Sequence, residues 1–432
     1  MLDQLPIAEI RDALLRDGWG AAIIAIGVVT LFTTGEALRR LTGIETEYTR
    51  KLSHFGAGAL VLAMPWLVDS LWTVTILAGA FFGVLSLGAL TGALGSVHDV
   101  ERRTGGAYYY PLAVLILFWL SSGEPLLFCV PIAVLAIADA GAALVGRRAG
   151  RLTFQVLDGK RSWEGSLTFF TLAFVLTGAG VLLLSPIGWP EVLLIALVVA
   201  GVTTAAEAIS VWGADNLFVP YAGFVVLDRA LRLGVDDMGG WLEGMAISTL
   251  AVMASSRRAG LTEAGAMSVF VSGTLSWAIG GWAWTLPLVG LYALFLSAIP
   301  TDHQGVEEGM QTDLIDIIPI TVGAMVVTIL YGHFGEDHLF VAYLATISAG
   351  GAIAMRQMAQ NRDWPQVPLA ISGALTPVLP VLLVDPKTPT VSVGVAGLIG
   401  LVTYAVLDRT RFVGRRLLAC LVAGAIAWAV TL

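Results

Sequence analysis

The sequence predicts an all-α, polytopic membrane protein with roughly fifteen transmembrane helices in two halves, and three observations carry that prediction. Of its 432 residues, 57% are hydrophobic and only 13% are charged. Its mean hydropathy is +0.82. The charges cluster between apolar runs of about twenty residues, the length a helix needs to cross a hydrocarbon core. Net charge −8 argues against a nucleic-acid partner. The two cysteines, Cys129 and Cys420, sit inside apolar runs without metal-ligand spacing, so neither disulfides nor zinc is indicated.

In chain order, MLDQLPIAEIRDALLRDG mixes acids with bases and precedes no small-residue cleavage site. It reads as a short amphipathic helix rather than a signal peptide. Spans follow near 19–36, 55–73, 74–95, 107–121, 124–147, 165–184 and 191–212. The loops after the first, third and fifth spans carry Arg39, Arg40, Arg50, Lys51, Arg102, Arg103 and a basic cluster at 147–161, whereas those after the second, fourth and sixth carry no Lys or Arg. The positive-inside rule therefore places the loop after Asp139 on the cytoplasmic side and the N-terminus outside. Further spans fall near 238–255, 264–281, 283–299, 314–332, 339–355, 367–384, 389–407 and 412–431, with basic loops at Arg257/Arg258, Arg356/Arg362 and Arg409–Arg416. Keeping all these loops on one side requires 216–232 to cross as a short or broken helix. A composition shift at Ser255–Thr262 separates a first domain, 1–255, from a second, 256–432, whose polar loop PTDHQGVEEGMQTDLID reads as a solvated external segment.

Four clusters in the first half need a chemical explanation. Arg50, Lys51 and His54 stand at the mouth of the second span, where phosphate contact and snorkelling anchorage are both open readings. Asp139 sits among alanines and glycines inside an apolar run, where a carboxylate is costly unless paired, solvated or bound to a cation. Arg147, Arg148, Arg151, Lys160 and Arg161 follow it; a carboxylate for a divalent metal with cations for phosphate gives the parts of a nucleotide site at a membrane face. Ser162 and Glu164 in DGKRSWEGS suit a helix start, Ser162 as cap and Glu164 at the positive end, and such a terminus also attracts anions. No P-loop spacing is present. The fourth cluster, Glu207 with Asp215 and Asn216, gathers carboxylates where Gly213 and Pro220 are expected to break the backbone, as happens where membrane helices line a cavity.

Together these clusters resemble the dolichol kinase and phytol kinase family of membrane polyprenol kinases, over about Tyr48–Pro220. The matching motifs are RKLSH at Arg50–His54, D-x-x-A-x-x-x-G-R-R at Asp139–Arg148, KRSWEGS at Lys160–Ser166 and EAISVWGADNLFVP at Glu207–Pro220. The resemblance implies a CTP-dependent enzyme that phosphorylates an isoprenoid alcohol such as phytol, dolichol or another polyprenol. It implies Mg²⁺ on Asp139 and Asp215, and a triphosphate held by Arg147, Arg148, Lys160 and Arg161. Glu207 or Asp215 is then the group that orients or deprotonates the lipid hydroxyl, and Arg50, Lys51, Ser162, Glu164 and Asn216 join the nucleotide- and phosphate-binding set. KRSWEG is also similar to part of the CDP-diacylglycerol synthase family, a cytidylyltransferase alternative, but that family's H-G-G-x-x-D-R element is absent. A transporter using the buried carboxylates is a third reading. In the second half, Leu261–Trp284 resembles the opening of the membrane family that includes phytyl-phosphate kinases. That family's acidic A-D-T-W-A-S-E element stands here as ATISAGGAIA, Ala345–Ala354, so the second half reads as a degenerate partner domain.

Overall fold

The structure is a computed structural model that describes residues 7–42, 46–91, 105–156, 159–233, 235–256, 263–298, 314–335, 338–360, 363–384, 396–400 and 413–431. The basic loops at Arg102/Arg103 and Arg257/Arg258, the acidic loop around 300–313 and most of the expected span 389–407 lie outside the described residues. The described chain is almost entirely helical, as its apolar periodicity requires. Seven of its helices are long and apolar enough to cross a membrane. Shorter apolar helices occupy Gly106–Ser121, Gln366–Val381 and Leu418–Val430. It divides into two compact units, Met1–Thr153 with Lys160–Leu231, and Phe154–Gly159 with Arg232–Leu432.

In the first unit, α1 (Ile7–Thr42) runs without a break, so the expected separate amphipathic helix is the first part of one 36-residue element. After α2 (Thr46–Leu62) and the single turn α3 (Met64–Leu67), the chain extends before α4 (Leu71–Thr91). Buried Asp17 of α1 fixes that interruption by accepting the Ser70 amide at 2.9 Å. A carboxylate this far inside an apolar environment persists because backbone donors satisfy it. Next come α5 (Gly106–Ser121) and α6 (Pro125–Ala133), then a π-helical turn, Val134–Ala138, and α7 (Asp139–Ala149). A hairpin of β1 (Thr153–Val156) and β2 (Gly159–Ser162) follows in the chain, its residues Phe154–Gly159 grouping with the second unit. Helices α8 (Trp163–Leu184), α9 (Trp189–Ile209) and α10 (Asp215–Arg232) complete the unit.

One expectation about the last segment, that Pro220 joins Gly213 in breaking the backbone, is corrected. Residues 215–232 form one continuous helix, and Pro220 lies inside it. The break sits earlier, at Ser210–Ala214, where Trp212 and Gly213 take φ of +53° and +82°. Pro220 forfeits one helical hydrogen bond, to the Asn216 carbonyl, and the helix continues through it.

The second unit contains α11 (Val235–Ser256), α12 (Glu263–Ala298), α13 (Leu314–Phe334), α14 (His338–Gln360), α15 (Gln366–Leu375), α16 (Leu379–Val384) and α17 (Val413–Thr431). α12 covers both spans expected at 264–281 and 283–299, with Gly281 at φ +60° breaking the helical path between them. α14 is its axis, buried over 94% of its apolar stretch and packed against α13, α15 and α17. Its Gly351 and Gly373 of α15 bring the two backbones together: a Cβ on Gly351 would lie 2.9 Å from Leu291 and closer still to the Gly373 carbonyl. Small residues permit this approach, which is how helices without a hydrophobic driving force between them associate in lipid.

Candidate active site

Asp139 opens α7, one residue after the π-helical turn Val134–Ala138, whose residues pack among the most buried of the unit. An extra residue per turn re-aims the side chain that follows, and such turns recur at functional sites. Asp139 is only 6% exposed. Its Oδ2 lies 3.9 Å from Nε2 of His54 on α2, and the His54 ring meets Tyr110 of α5 edge-on at 5.1 Å between centroids.

α7 continues through Gly141 and Gly146 along α8. A Cβ on Gly146 would stand 2.9 Å from the Ser162 hydroxyl, and one on Gly165 would stand 3.2 Å from the Ala142 carbonyl. The glycines of the motif are therefore contact residues between two helices. Ser162 caps α8 as its sequence predicts, accepting the Gly165 amide at 3.1 Å. Glu164 reaches back to the turn before the hairpin, where its Oε1 accepts the amides of Arg151 at 3.0 Å and Leu152 at 3.2 Å. Arg147, Arg148 and Lys160 are exposed around this corner. Eight residues of helix separate Asp139 from Arg147, about 12 Å along the axis.

From the same hairpin, Arg161 turns the other way. Its Nη1 is 3.3 Å from Glu207 Oε1, and its Nη2 donates to the Ser210 carbonyl at 3.0 Å. Glu207 is 6% exposed, so its charge is balanced by the guanidinium rather than by water. The backbone break after Ser210 then delivers Asp215, half-buried, and buried Asn216 at the start of α10. Asn216 donates from Nδ2 to the Gly106 carbonyl at 2.8 Å, and the Gly105 amide donates to the Trp212 carbonyl at 2.8 Å. A Cβ on Gly106 would come within 2.9 Å of Asn216 Nδ2, so the glycine makes room for the amide.

These contacts close on themselves. Tyr110 leads to His54 and Asp139, α7 to Ser162, Arg161 to Glu207 and Ser210, and Asn216 back to Gly106, one turn before Tyr110. Residues up to 110 positions apart are thereby joined in one ring within the first unit. The side chains of Arg50 and Lys51 lie outside the described residues. Tyr110 and Gly106 were not singled out by the motifs, whereas Ser210 is the serine of the EAIS motif; the run Tyr108–Tyr110 at the start of a span reads from sequence as an interfacial aromatic belt.

Among the described residues, no three His, Cys, Asp or Glu side chains gather as a metal site. Mg²⁺ is commonly held by one or two carboxylates plus phosphate oxygens and water, so hard donors such as Asp139 and Asp215 fit an ion that arrives with a nucleotide.

No family model matches the chain, and no solved structure matches it. Among curated proteins it is 38% identical over 214 residues to the phytol kinase of Synechocystis sp., a match that takes in 48% of this chain and 88% of that protein. Lower similarity extends to plants. A probable chloroplastic phytol kinase of Triticum aestivum is 27% identical over 49% of this chain and 77% of its own length. A probable phytol kinase 2 of Glycine max is 28% identical over 51% and 77%.

Proposed function

This chain belongs to the phytol kinase family, and on that premise we propose that it transfers the γ-phosphoryl group of CTP to the hydroxyl of an isoprenoid alcohol, phytol or a related polyprenol, at the cytoplasmic membrane face. The observation that carries the reading is the Asp139 and His54 pair on the same contact ring as the Arg161 and Glu207 pair, with the exposed Arg147, Arg148 and Lys160 at its edge. Phosphoryl transfer asks for positioning and charge neutralisation more than covalent chemistry.

In this mechanism Arg147, Arg148, Lys160 and Arg161 neutralise the triphosphate, with Arg50, Lys51 and Asn216 adding donors. Ser162, Glu164 and the start of α8 hold the hairpin against α7, which fixes the basic corner relative to Asp139. Asp139 and Asp215 would hold Mg²⁺, which when bound offsets charge on the transferred group. The alcohol oxygen attacks the γ-phosphorus, the bond to the β-phosphate oxygen breaks, and CDP leaves. The hydroxyl proton passes to a carboxylate. Asp215, half-buried, suits that task or the orientation of the hydroxyl, while Glu207 is engaged by Arg161 and keeps its guanidinium directed.

The test is to incubate the purified protein with Mg²⁺, isoprenoid alcohols, their monophosphates and phosphatidic acid, using CTP labelled at either the α or the γ phosphate. Label passing from γ-CTP to an alcohol is the expected result. Label arriving from α-CTP would instead identify a cytidylyltransferase, and no labelled lipid with CTP or ATP would leave cation binding by the buried carboxylates as the better reading. Label appearing on a monophosphate would make the second unit a kinase too.

A further inference from the structure

A groove of about 620 Å³ runs between α1, α2, α4 and α5, within the range of small-molecule sites. Its lining is apolar except for Thr33, Glu36, Arg40 and Tyr110. The polar groups are not scattered. Thr33, Glu36 and Arg40 occupy the last turns of α1, and Glu36 is satisfied there by Arg39 at 2.9 Å and Arg40 at 2.6 Å. Tyr110 stands at the wall where its ring meets His54. The opposite end, at Ile24, Met64 and Val74, is wholly apolar. The groove therefore has a dry end and a polar end, and the polar end adjoins the His54 and Asp139 pair.

Its position agrees with entry from the bilayer. The apolar stretches of α1 and α4 are only 22% buried, against 72% for α9. Val29 and Val84, both in the lining, are 58% and 49% exposed. The groove is thus open sideways along the lipid-facing helices, and a molecule lying in it never has to pass through water.

We propose that this groove holds the hydrocarbon tail of the acceptor alcohol, with the hydroxyl at the Tyr110 end. The inference rests on the kinase reading and deepens it. From Ile24 to Arg40 the wall spans sixteen residues of helix, about 24 Å. An extended chain advances about 1.3 Å per carbon–carbon bond of about 1.5 Å, so the groove accommodates a run of about eighteen bonds. That is a diterpenoid alcohol of phytol's length. A long polyprenol would leave most of its chain beyond the groove, in the surrounding lipid.

The experiment compares geraniol, farnesol, phytol and a long polyprenol as acceptors for the wild-type protein and for Ala25→Trp and Ala78→Trp, which place bulk in the lining. Ala25 is exposed at the dry end, so its replacement leaves packing intact. The wild type should use phytol. Ala25→Trp should lower kcat/KM for phytol about tenfold or more, as loss of pocket volume does, while geraniol is used as before. Ala78→Trp, further along, should also impair farnesol. As a measurement independent of variants, a diazirine analogue of phytol should crosslink the wild-type protein within 24–40, 57–64 or 74–84. Unchanged phytol kinetics in both variants, or crosslinks confined to other segments, would overturn the groove assignment while leaving the kinase reading intact. If no alcohol is phosphorylated at all, the kinase reading fails, and the crosslinking pattern alone decides whether the groove binds isoprenoid chains.

Discussion

The two units bury different things. The first holds Asp139, Glu207 and Asn216 inside its helices, with His54 and Arg161 supplied from other elements to balance the acids. At the heart of the second, α14 buries Thr346, Ser348, Gly350 and Gly351 with alanines, and its one buried aromatic hydroxyl, Tyr343, is satisfied by the Trp284 carbonyl at 2.6 Å and Ser276 at 2.8 Å. Trp284 in turn packs against the rings of Tyr331, Phe340 and Tyr343. Ala345–Ala354, the place where the phytyl-phosphate kinase motif would put acids, is used for close helix packing. Buried charge costs stability; in the first unit it falls on the motif residues Asp139 and Glu207 and on Asp17, whereas among the described residues of the second it falls on Arg416, which donates to Gln357 at 3.0 Å. The proposed function puts the phosphoryl transfer in the first unit, with the second as a structural or regulatory partner.

Substitutions can sharpen or break that contrast. The largest stability effect is expected for Arg161→Met, which leaves the Glu207 carboxylate buried without its guanidinium at a cost of about 3 kcal/mol or more. Adding Glu207→Gln should recover much of the melting temperature in detergent but none of the kinase activity. Next is Gly351→Val, which forces a side chain between α14 and α15. A loss of about 2–3 kcal/mol is expected from overpacking, with turnover per folded molecule close to wild type. If Gly351→Val instead removed turnover from protein that is still folded, the second unit would be part of the active site.

Smaller effects come from single hydrogen bonds. Tyr343→Phe should cost about 1–2 kcal/mol by leaving the Trp284 carbonyl and Ser276 short of a partner, measured by thermal unfolding, with kcat unchanged. Ser162→Ala should cost about 1 kcal/mol through the lost cap of α8. Because the cap also holds the hairpin corner, its KM for CTP should rise, which the Tyr343 variant should not show.

Much of this was legible in the sequence because each piece is a local rule. Hydropathy places most of the apolar helices, the α8 start follows from Ser162 and the interruption near 213 from a glycine, but the expected span 55–73 is helix only to Leu67 before the break at 68–70, and 367–384 is two helices, Gln366–Leu375 and Leu379–Val384. What escaped are properties of through-space neighbours. Pro220 reads as a breaker in isolation, yet α10 runs through it at the loss of one helical hydrogen bond. The π turn before Asp139 has no composition that distinguishes Val134–Ala138 from any apolar helix. Tyr110 looks like an interfacial tyrosine until the fold sets His54 against it, and Asp17 looks like a surface acid until Ser70 arrives from 53 residues away. The groove was invisible for the same reason, since its four walls are separate stretches of ordinary apolar helix.

The most direct test of the central claim is the γ-phosphoryl transfer rate to phytol in Asp139→Asn and Asp215→Asn, with membrane insertion and thermal unfolding followed alongside. Each substitution keeps size and removes charge. The account predicts a fall of about a hundredfold or more in both, with insertion unchanged. Wild-type turnover in both variants would contradict it and move the chemistry away from the first unit's buried acids.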